Sequence, residues 1–177
     1  MDKAGEGDIQ LQEGTYTPYL LGPQVWPTDS ESEMARAAEE LKEQSARYAA
    51  AAHDTRRLMD RAMLDSSTGP AAVPNDEAGL CRQYEGLLRA AEAYEAGATG
   101  YRRLSQDVSR TKRLMQEAHD NAHHEVTAAV ETHVGAEIEL AAPILVNYRA
   151  LIESYATELQ HIVENELHCL KQRFIQP

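Results

Sequence analysis

Aromatic and sulfur-containing side chains are scarce in this sequence. Only 6% of the 177 residues are Phe, Tyr or Trp, and the chain has one Trp and one Phe. Its two cysteines, Cys81 and Cys169, have neither the number nor the spacing of a disulfide framework or a cysteine-rich metal site. Both lie beside apolar helical positions, so we expect two buried thiols, with a single disulfide as the alternative.

Long apolar runs and excess positive charge are also missing. No run approaches the ~20 apolar residues that cross a bilayer. The first 25 residues hold five charged side chains and no apolar segment typical of a cleavable signal peptide. The 17 Lys and Arg face 29 Asp and Glu, and this net charge of −12 argues against nucleic-acid binding. One basic run, RRLSQDVSRTKR at residues 102–113, predicts a solvated helix face; the alternative is a docking patch for an acidic partner.

The sequence does contain a sustained heptad-like pattern. Apolar or small residues recur at alternating steps of three and four, which is typical of long helices packed along one another. We call each such series a seam. The three seams are Met34, Ala38, Leu41, Ser45, Tyr48, Ala52, Thr55, Met59 and Ala62; then Leu80, Tyr84, Leu87, Ala91, Tyr94, Ala98, Tyr101 and Val108, continuing through Leu114, Met115, Ala118 and Ala122; then Leu145, Tyr148, Ile152, Tyr155, Leu159, Val163, Leu167, Leu170 and Phe174.

These seams predict an all-α protein, an elongated antiparallel helical hairpin or bundle of three to four long helices. We expect a flexible N-terminal tail at residues 1–25, whose last apolar residues can lie back on the bundle, followed by a helical domain at 26–177. Within that domain a helical hairpin spans about 28–122, and C-terminal helices span about 123–175.

Glycine and proline mark the breaks between the expected helices. SSTGPAAVPND at residues 66–76 ends the first helix. The periodicity continues across Gly97 and Gly100, which favours one continuous helix there. Pro143 fits the first turn of a later helix.

Trp26 and Pro27 stand directly before the first long helix. Two overlapping capping boxes follow them, at residues 28–31 and 30–33. A large apolar group before a helix start can pack against its first turns as a hydrophobic staple, and proline holds the preceding chain extended. A purely structural role explains the dipeptide by itself.

The longer stretch LGPQVWPTDSESEMARAAEELKEQSARYAAAA resembles the start of the WxG-like N-terminal helical domain of actinobacterial type VII (ESX) secretion substrates and polymorphic toxins. In that family a segment resembling apolar-Gly-Pro is followed by Trp-Pro. A few acidic or polar residues come next, and then a long Ala-rich amphipathic helix. The resemblance covers residues 21–66 and is only architectural elsewhere. The pattern falls here on Leu21, Gly22, Trp26, Pro27, Asp29 and Glu31.

The sequence departs from the family pattern at two places. Family members carry a Trp-x-Gly element near the second helix, for which Tyr94 and Gly97 stand in here. The family's Tyr-x-x-x-Asp/Glu export signal is absent, because none of the eight tyrosines has an acid four residues on. His133 and Glu137 have that spacing, with His in place of Tyr.

The resemblance implies a non-enzymatic delivery or interaction domain that the type VII secretion machinery recognises. It implies pairing with a small WxG-type helical protein, with a homo-oligomer as a further option, and no cofactor. It also implies a cytoplasmic location before export, then a secreted or cell-envelope one. Trp26 and Pro27 would position the first helix. We expect the seam residues Leu41, Tyr48, Leu87 and Tyr94 to hold the helices together.

A histidine-rich stretch, HDNAHHEV at residues 119–126, is the part of the sequence that suggests metal binding or catalysis. His119 and His123 are four residues apart on a predicted helix, so both can face one side. With Asp120 they approach the His-Glu-x-x-His pattern of metalloproteases. The favoured interpretation places these polar residues on a solvent face; metal binding by His119 and His123 is the weaker alternative, and we predict no catalytic residue. A third metal ligand would have to come from Glu125, His133, His161 or His168.

A cytosolic coiled-coil adaptor or scaffold is the main alternative function, because heptad seams occur in many such proteins.

Overall fold

The computed structural model describes residues 8–22, 25–66, 74–132 and 137–175. These residues form four α-helices: α1 (Thr17–Leu20), α2 (Glu31–Ser66), α3 (Pro74–Thr132) and α4 (Glu137–Ile175). Over those ranges the chain has no β-strand, which confirms the predicted all-α helical bundle. Within the same ranges, no helix combines the length and the apolar character needed to cross a bilayer.

The second long helix is continuous, as its periodicity predicts. α3 passes through Gly97 and Gly100 without a break. It also continues to Thr132, beyond the expected end of the hairpin near residue 122. The added residues include the buried Val126, which extends the seam by one turn past Ala122.

The expected position of Pro143 was wrong. α4 begins at Glu137, so Pro143 lies inside the helix rather than in its first turn. A proline there removes one backbone hydrogen bond near the helix start. The surrounding sequence, ELAAPIL, consists mostly of good helix formers, and their propensity offsets that loss.

The chain folds as two compact units. Unit 1 comprises the chain up to Ala35 together with Arg103–Cys169. Unit 2 comprises Arg36–Arg102 together with the chain from Leu170. The core cluster of unit 1 consists of Leu20, Met115, Ala118, Ala122 and Ile152.

The predicted seams are the inward faces of the helices. Each predicted seam residue whose side chain the structure describes is buried or half-buried. In unit 2 four alanines are buried, with Ala38, Ala52, Ala91 and Ala98 all at most 8% exposed. Alanine has no side chain beyond Cβ, so it lets two helices pack closely. This packing is how an aromatic-poor chain builds a core.

Helices α2 and α3 run antiparallel in unit 2. Arg102 forms an ion pair with Glu39 at 3.7 Å. Further along α2, the buried Ser45 hydroxyl donates a hydrogen bond to the Ala91 carbonyl at 2.8 Å. A later residue of α2 therefore contacts an earlier residue of α3, which is the pattern of antiparallel helices. In the same interface the Tyr48 and Tyr94 rings stack, with centroids 5.2 Å apart and planes 11° apart.

The cysteines contradict the expectation of buried thiols. Cys81 and Cys169 are both free and exposed. Each precedes or follows an inward-facing seam residue, and one step along a helix rotates a side chain by about 100°, which turns these thiols outward.

We predict that the Tyr48–Tyr94 stack contributes a measurable coupling energy to unit 2. In a double-mutant cycle with Tyr48→Leu and Tyr94→Leu, the expected coupling is about 0.5–1.5 kcal/mol, the usual size for an aromatic pair. Urea unfolding followed by circular dichroism measures it. The matched cycle of Tyr48→Leu with Tyr101→Leu should give no coupling. Equal coupling in both cycles would show that the stack has no specific energy.

Candidate interaction site

The Trp26–Pro27 junction links the short α1 to α2 in unit 1. Leu20, at the end of α1, is fully buried in the core cluster of that unit. Leu21, Val25 and Trp26 are partly buried and pack against the same cluster. The apolar residues that end the N-terminal segment therefore lie on the helices, as expected. Trp26 keeps part of its surface exposed.

Ser30 caps α2, in agreement with the second of the two predicted capping boxes. Its hydroxyl accepts a hydrogen bond from the Glu33 N–H at 3.0 Å, and its carbonyl accepts one from the Met34 N–H at 3.1 Å. The first box, which begins at Thr28, would have its acid at Glu31. That carboxylate instead faces α3.

Glu31 and Lys112 form a buried ion pair at the start of α2. The Lys112 ammonium donates to Glu31 Oε2 at 2.7 Å and to the Asp29 carbonyl at 2.8 Å. Glu31 is 6% exposed and Lys112 is 3% exposed. The Ile9 N–H donates to the other Glu31 oxygen at 2.6 Å. Burial alone raises the pKa of Glu31, but these hydrogen bonds and the Lys112 charge together hold that pKa below its ordinary value.

The same place fixes the N-terminal segment to the helices. Asp8 accepts a hydrogen bond from the Ser32 N–H at 2.9 Å, next to the bond from Ile9 to Glu31. That contact is the main cause that lowers the pKa of Asp8. On the α3 side, Ser105 donates to the Glu31 carbonyl at 2.8 Å. The start of α2 is thus bonded both to the preceding segment and to α3.

The predicted solvated basic face was wrong for one residue of the run 102–113. Arg103, Arg110 and Arg113 are exposed as expected. Lys112 is buried instead, because it lies four residues after Val108 on the inward face of α3 and finds Glu31 there. Its position at seam spacing was the sequence signal for this role.

Removing Lys112 should destabilise unit 1 strongly. Lys112→Met leaves the Glu31 carboxylate buried without its cation, which typically costs about 3–5 kcal/mol. Urea unfolding monitored by Trp26 fluorescence reports on this unit, since Trp26 is the only tryptophan. Arg113→Met, an exposed neighbour, is the control and should change stability by less than about 0.5 kcal/mol. Similar losses in both variants would contradict the assigned role.

His119 and His123 face the N-terminal segment rather than solvent, so the favoured interpretation of HDNAHHEV was wrong for these two residues, whereas Asn121 and His124 are exposed as expected. His119 is 2% exposed; its Nε2 lies 2.7 Å from the Thr17 hydroxyl, and its Nδ1 lies 3.2 Å from Asp120 Oδ1. The His119 and His123 ring centroids are 4.5 Å apart. The sequence could not show this cover, because it comes from a segment about 100 residues earlier in the chain.

His123 supports the backbone of the N-terminal segment at Gly14. A Cβ built on Gly14 would lie 2.5 Å from the imidazole Cε1, so only glycine fits over this ring. The Tyr16 ring also packs here, with centroids 5.1 Å apart. His123 Nε2 is buried without a hydrogen-bond partner. Burial lowers the pKa of His123; the charge of His119 lowers it further, while Asp120 acts in the opposite direction.

Those candidate third metal ligands that the structure describes, Glu125, His161 and His168, do not gather around the two histidines. Among the described residues no three His, Cys, Asp or Glu side chains are arranged to hold a metal ion. Glu125 accepts a hydrogen bond from the Tyr148 hydroxyl at 2.5 Å, which raises the pKa of Tyr148. His161 and His168 are exposed on α4, and His133 lies outside the described residues.

We predict that mild acid loosens the N-terminal segment through His123. The pKa of His123 is depressed while the segment covers it, so the uncovered state binds a proton more readily. The free energy by which neutral His123 stabilises the packed N-terminal segment is therefore complete above the ordinary histidine pKa near 6.5. This stabilisation declines as the pH falls below that value. Hydrogen exchange of residues 8–22 should show protection factors that are steady above about pH 7 and fall as the pH is lowered below about 6.5.

The matched variants are His123→Phe and His124→Phe. The first keeps an aromatic ring under Gly14 and cannot titrate, so it should remove most of the pH dependence. The second replaces an exposed neighbour and should retain the dependence. An unchanged pH profile in His123→Phe would show that His123 is not the group responsible.

A groove of about 840 Å³ lies between the Trp26–Pro27 junction and α4. Residues 25–29 form one wall, and the face of α4 from Glu153 to Glu164 forms the other. Leu159, 3% exposed, lies at the base, and Trp26 packs on the core while also lining the groove. We call this feature the junction groove.

The other predicted interaction residues lie in unit 2. Leu41, Tyr48, Leu87 and Tyr94 are half-buried on the α2–α3 interface, and Gly97 is buried one turn after Tyr94. Tyr94 stacks on Tyr48, as a seam residue would. Trp26 and Pro27 belong to unit 1 and line the junction groove.

Comparison of this chain with protein-family models, curated proteins and solved structures found no match.

Proposed function

We propose that this chain is a non-enzymatic helical delivery or interaction domain of a type VII (ESX) secretion substrate, recognised by the secretion machinery and paired with a small WxG-type helical protein. The observation that carries the proposal is the dual placement of Trp26, which packs on the unit 1 core and also lines an open groove. A tryptophan with only a structural role needs no such groove.

Two further observations support the proposal. The Trp-Pro dipeptide directly precedes a capped, Ala-rich helix of 36 residues, which is the arrangement that the resemblance implies. The junction is also rigidly held, because Lys112 binds the Asp29 carbonyl and Glu31 on its far side. A recognition element gains affinity when its conformation is fixed before binding.

Export of Trp26→Ala tests the proposal. Truncating a half-buried tryptophan should cost unit 1 about 2 kcal/mol, less than the roughly 3–5 kcal/mol of a fully buried one. Helicity by circular dichroism should therefore change little, whereas the amount of protein in culture filtrate of an actinobacterial host should fall sharply. Export of the parent chain should require the core ATPase of the secretion system.

Tyr19→Ala is the matched control, since Tyr19 is an aromatic residue of the same segment and is 64% exposed. It should be exported like the parent chain. Equal loss of helicity and export in Trp26→Ala would make Trp26 only a core residue. Retention of the parent chain in the cells, with or without the ATPase, would favour the coiled-coil adaptor instead.

A further inference from the structure

We infer that the junction groove binds one helix of a partner protein, and that this helix carries apolar anchor residues flanked by Lys or Arg. The inference deepens the proposed function and rests on it for the existence of a partner. It adds the place on this chain where the partner lies and the chemistry of the partner's contact face.

The charge of the groove selects a basic partner. Its described lining includes three acids, Asp29, Glu153 and Glu164, and neither Lys nor Arg. Asp29 and Glu164 are exposed on opposite walls. Glu153 remains 45% exposed although it accepts a hydrogen bond from Arg149 at 2.8 Å. Carboxylates on both walls attract cations that flank an apolar stripe and repel an acidic helix.

The size and shape of the groove fit a helical segment. Residues 153–164 of α4 extend about 16 Å at 1.5 Å per residue, which is about three helical turns. A helix of about 10 Å diameter fills the 840 Å³ groove over about two turns. The apolar surface comes from Trp26, Pro27, Ala156 and Val163, which suits residues spaced three and four apart on a docked helix.

The test uses two synthetic helical peptides of about 14 residues, a length that covers the groove. Both carry Leu at positions i, i+3, i+4 and i+7; one has Lys at the flanking positions, and the other has Glu there. The full chain is titrated with each peptide, and Trp26 fluorescence reports groove occupancy directly because Trp26 is the only tryptophan. The Lys peptide should bind saturably and more weakly as salt rises. The Glu peptide should bind at least about tenfold more weakly.

Variants on the chain locate the binding site. Asp29→Lys combined with Glu164→Lys should weaken binding of the Lys peptide by at least about fivefold. Glu158→Lys makes the same charge change on α4 outside the groove and should alter binding less than about twofold. Circular dichroism of each variant checks that the fold is retained. Equal binding of both peptides, or equal weakening by the groove and control variants, would overturn the inference.

Two further outcomes separate the inference from its alternatives. Sedimentation equilibrium that shows a dimer abolished by Asp29→Lys and Glu164→Lys would make a second copy of this chain the occupant and overturn the inference. Failure of the groove to discriminate the peptides, with export still dependent on Trp26, would overturn the inference alone. Peptide binding as expected, without export through the secretion system, would overturn the proposed function and leave the groove assignment supported.

Discussion

The buried ion pair between Glu31 and Lys112 is the contact on which the arrangement of unit 1 depends. It joins the first residue of α2 to the inward face of α3, and both side chains are less than 10% exposed. Two buried charges are stable only when they are paired and their remaining hydrogen bonds are made. Ile9 and the Asp29 carbonyl complete those bonds, so the pair also fixes the segments on either side of the Trp26–Pro27 junction.

Because of that constraint, the N-terminal segment belongs to the fold and covers α3. Its contacts range from Asp8 at the start of α2 to Thr17 beside His119. Packing of the N-terminal segment over α3 buries part of the histidine-rich stretch HDNAHHEV. His119 bonds to Thr17, and His123 lies beneath Gly14, where burial disfavours its charged form.

The junction and the groove connect this packing to the proposed role in protein interaction. Trp26 packs on the core of unit 1 and also lines the groove, so the proposed recognition element is held by the fold itself. The groove combines apolar lining residues with carboxylates on both walls. In such an arrangement apolar burial supplies affinity for a ligand and charge supplies selectivity. Unit 2, by contrast, contains buried alanines and a stacked tyrosine pair.

The sequence by itself determined the helical class, the inward face of each long helix and the end of α2 at Ser66, and it narrowed the cap of α2 to Thr28 or Ser30. These features follow from periodicity and backbone capping, which are local properties of the chain. Only the tertiary structure decided the partners of Lys112, His119 and His123, because each is met by residues distant in sequence. The outward turn of the two cysteines and the junction groove also depend on how the helices pack. A pattern read along one helix specifies which side is apolar, but it carries no information about which distant segment covers that side.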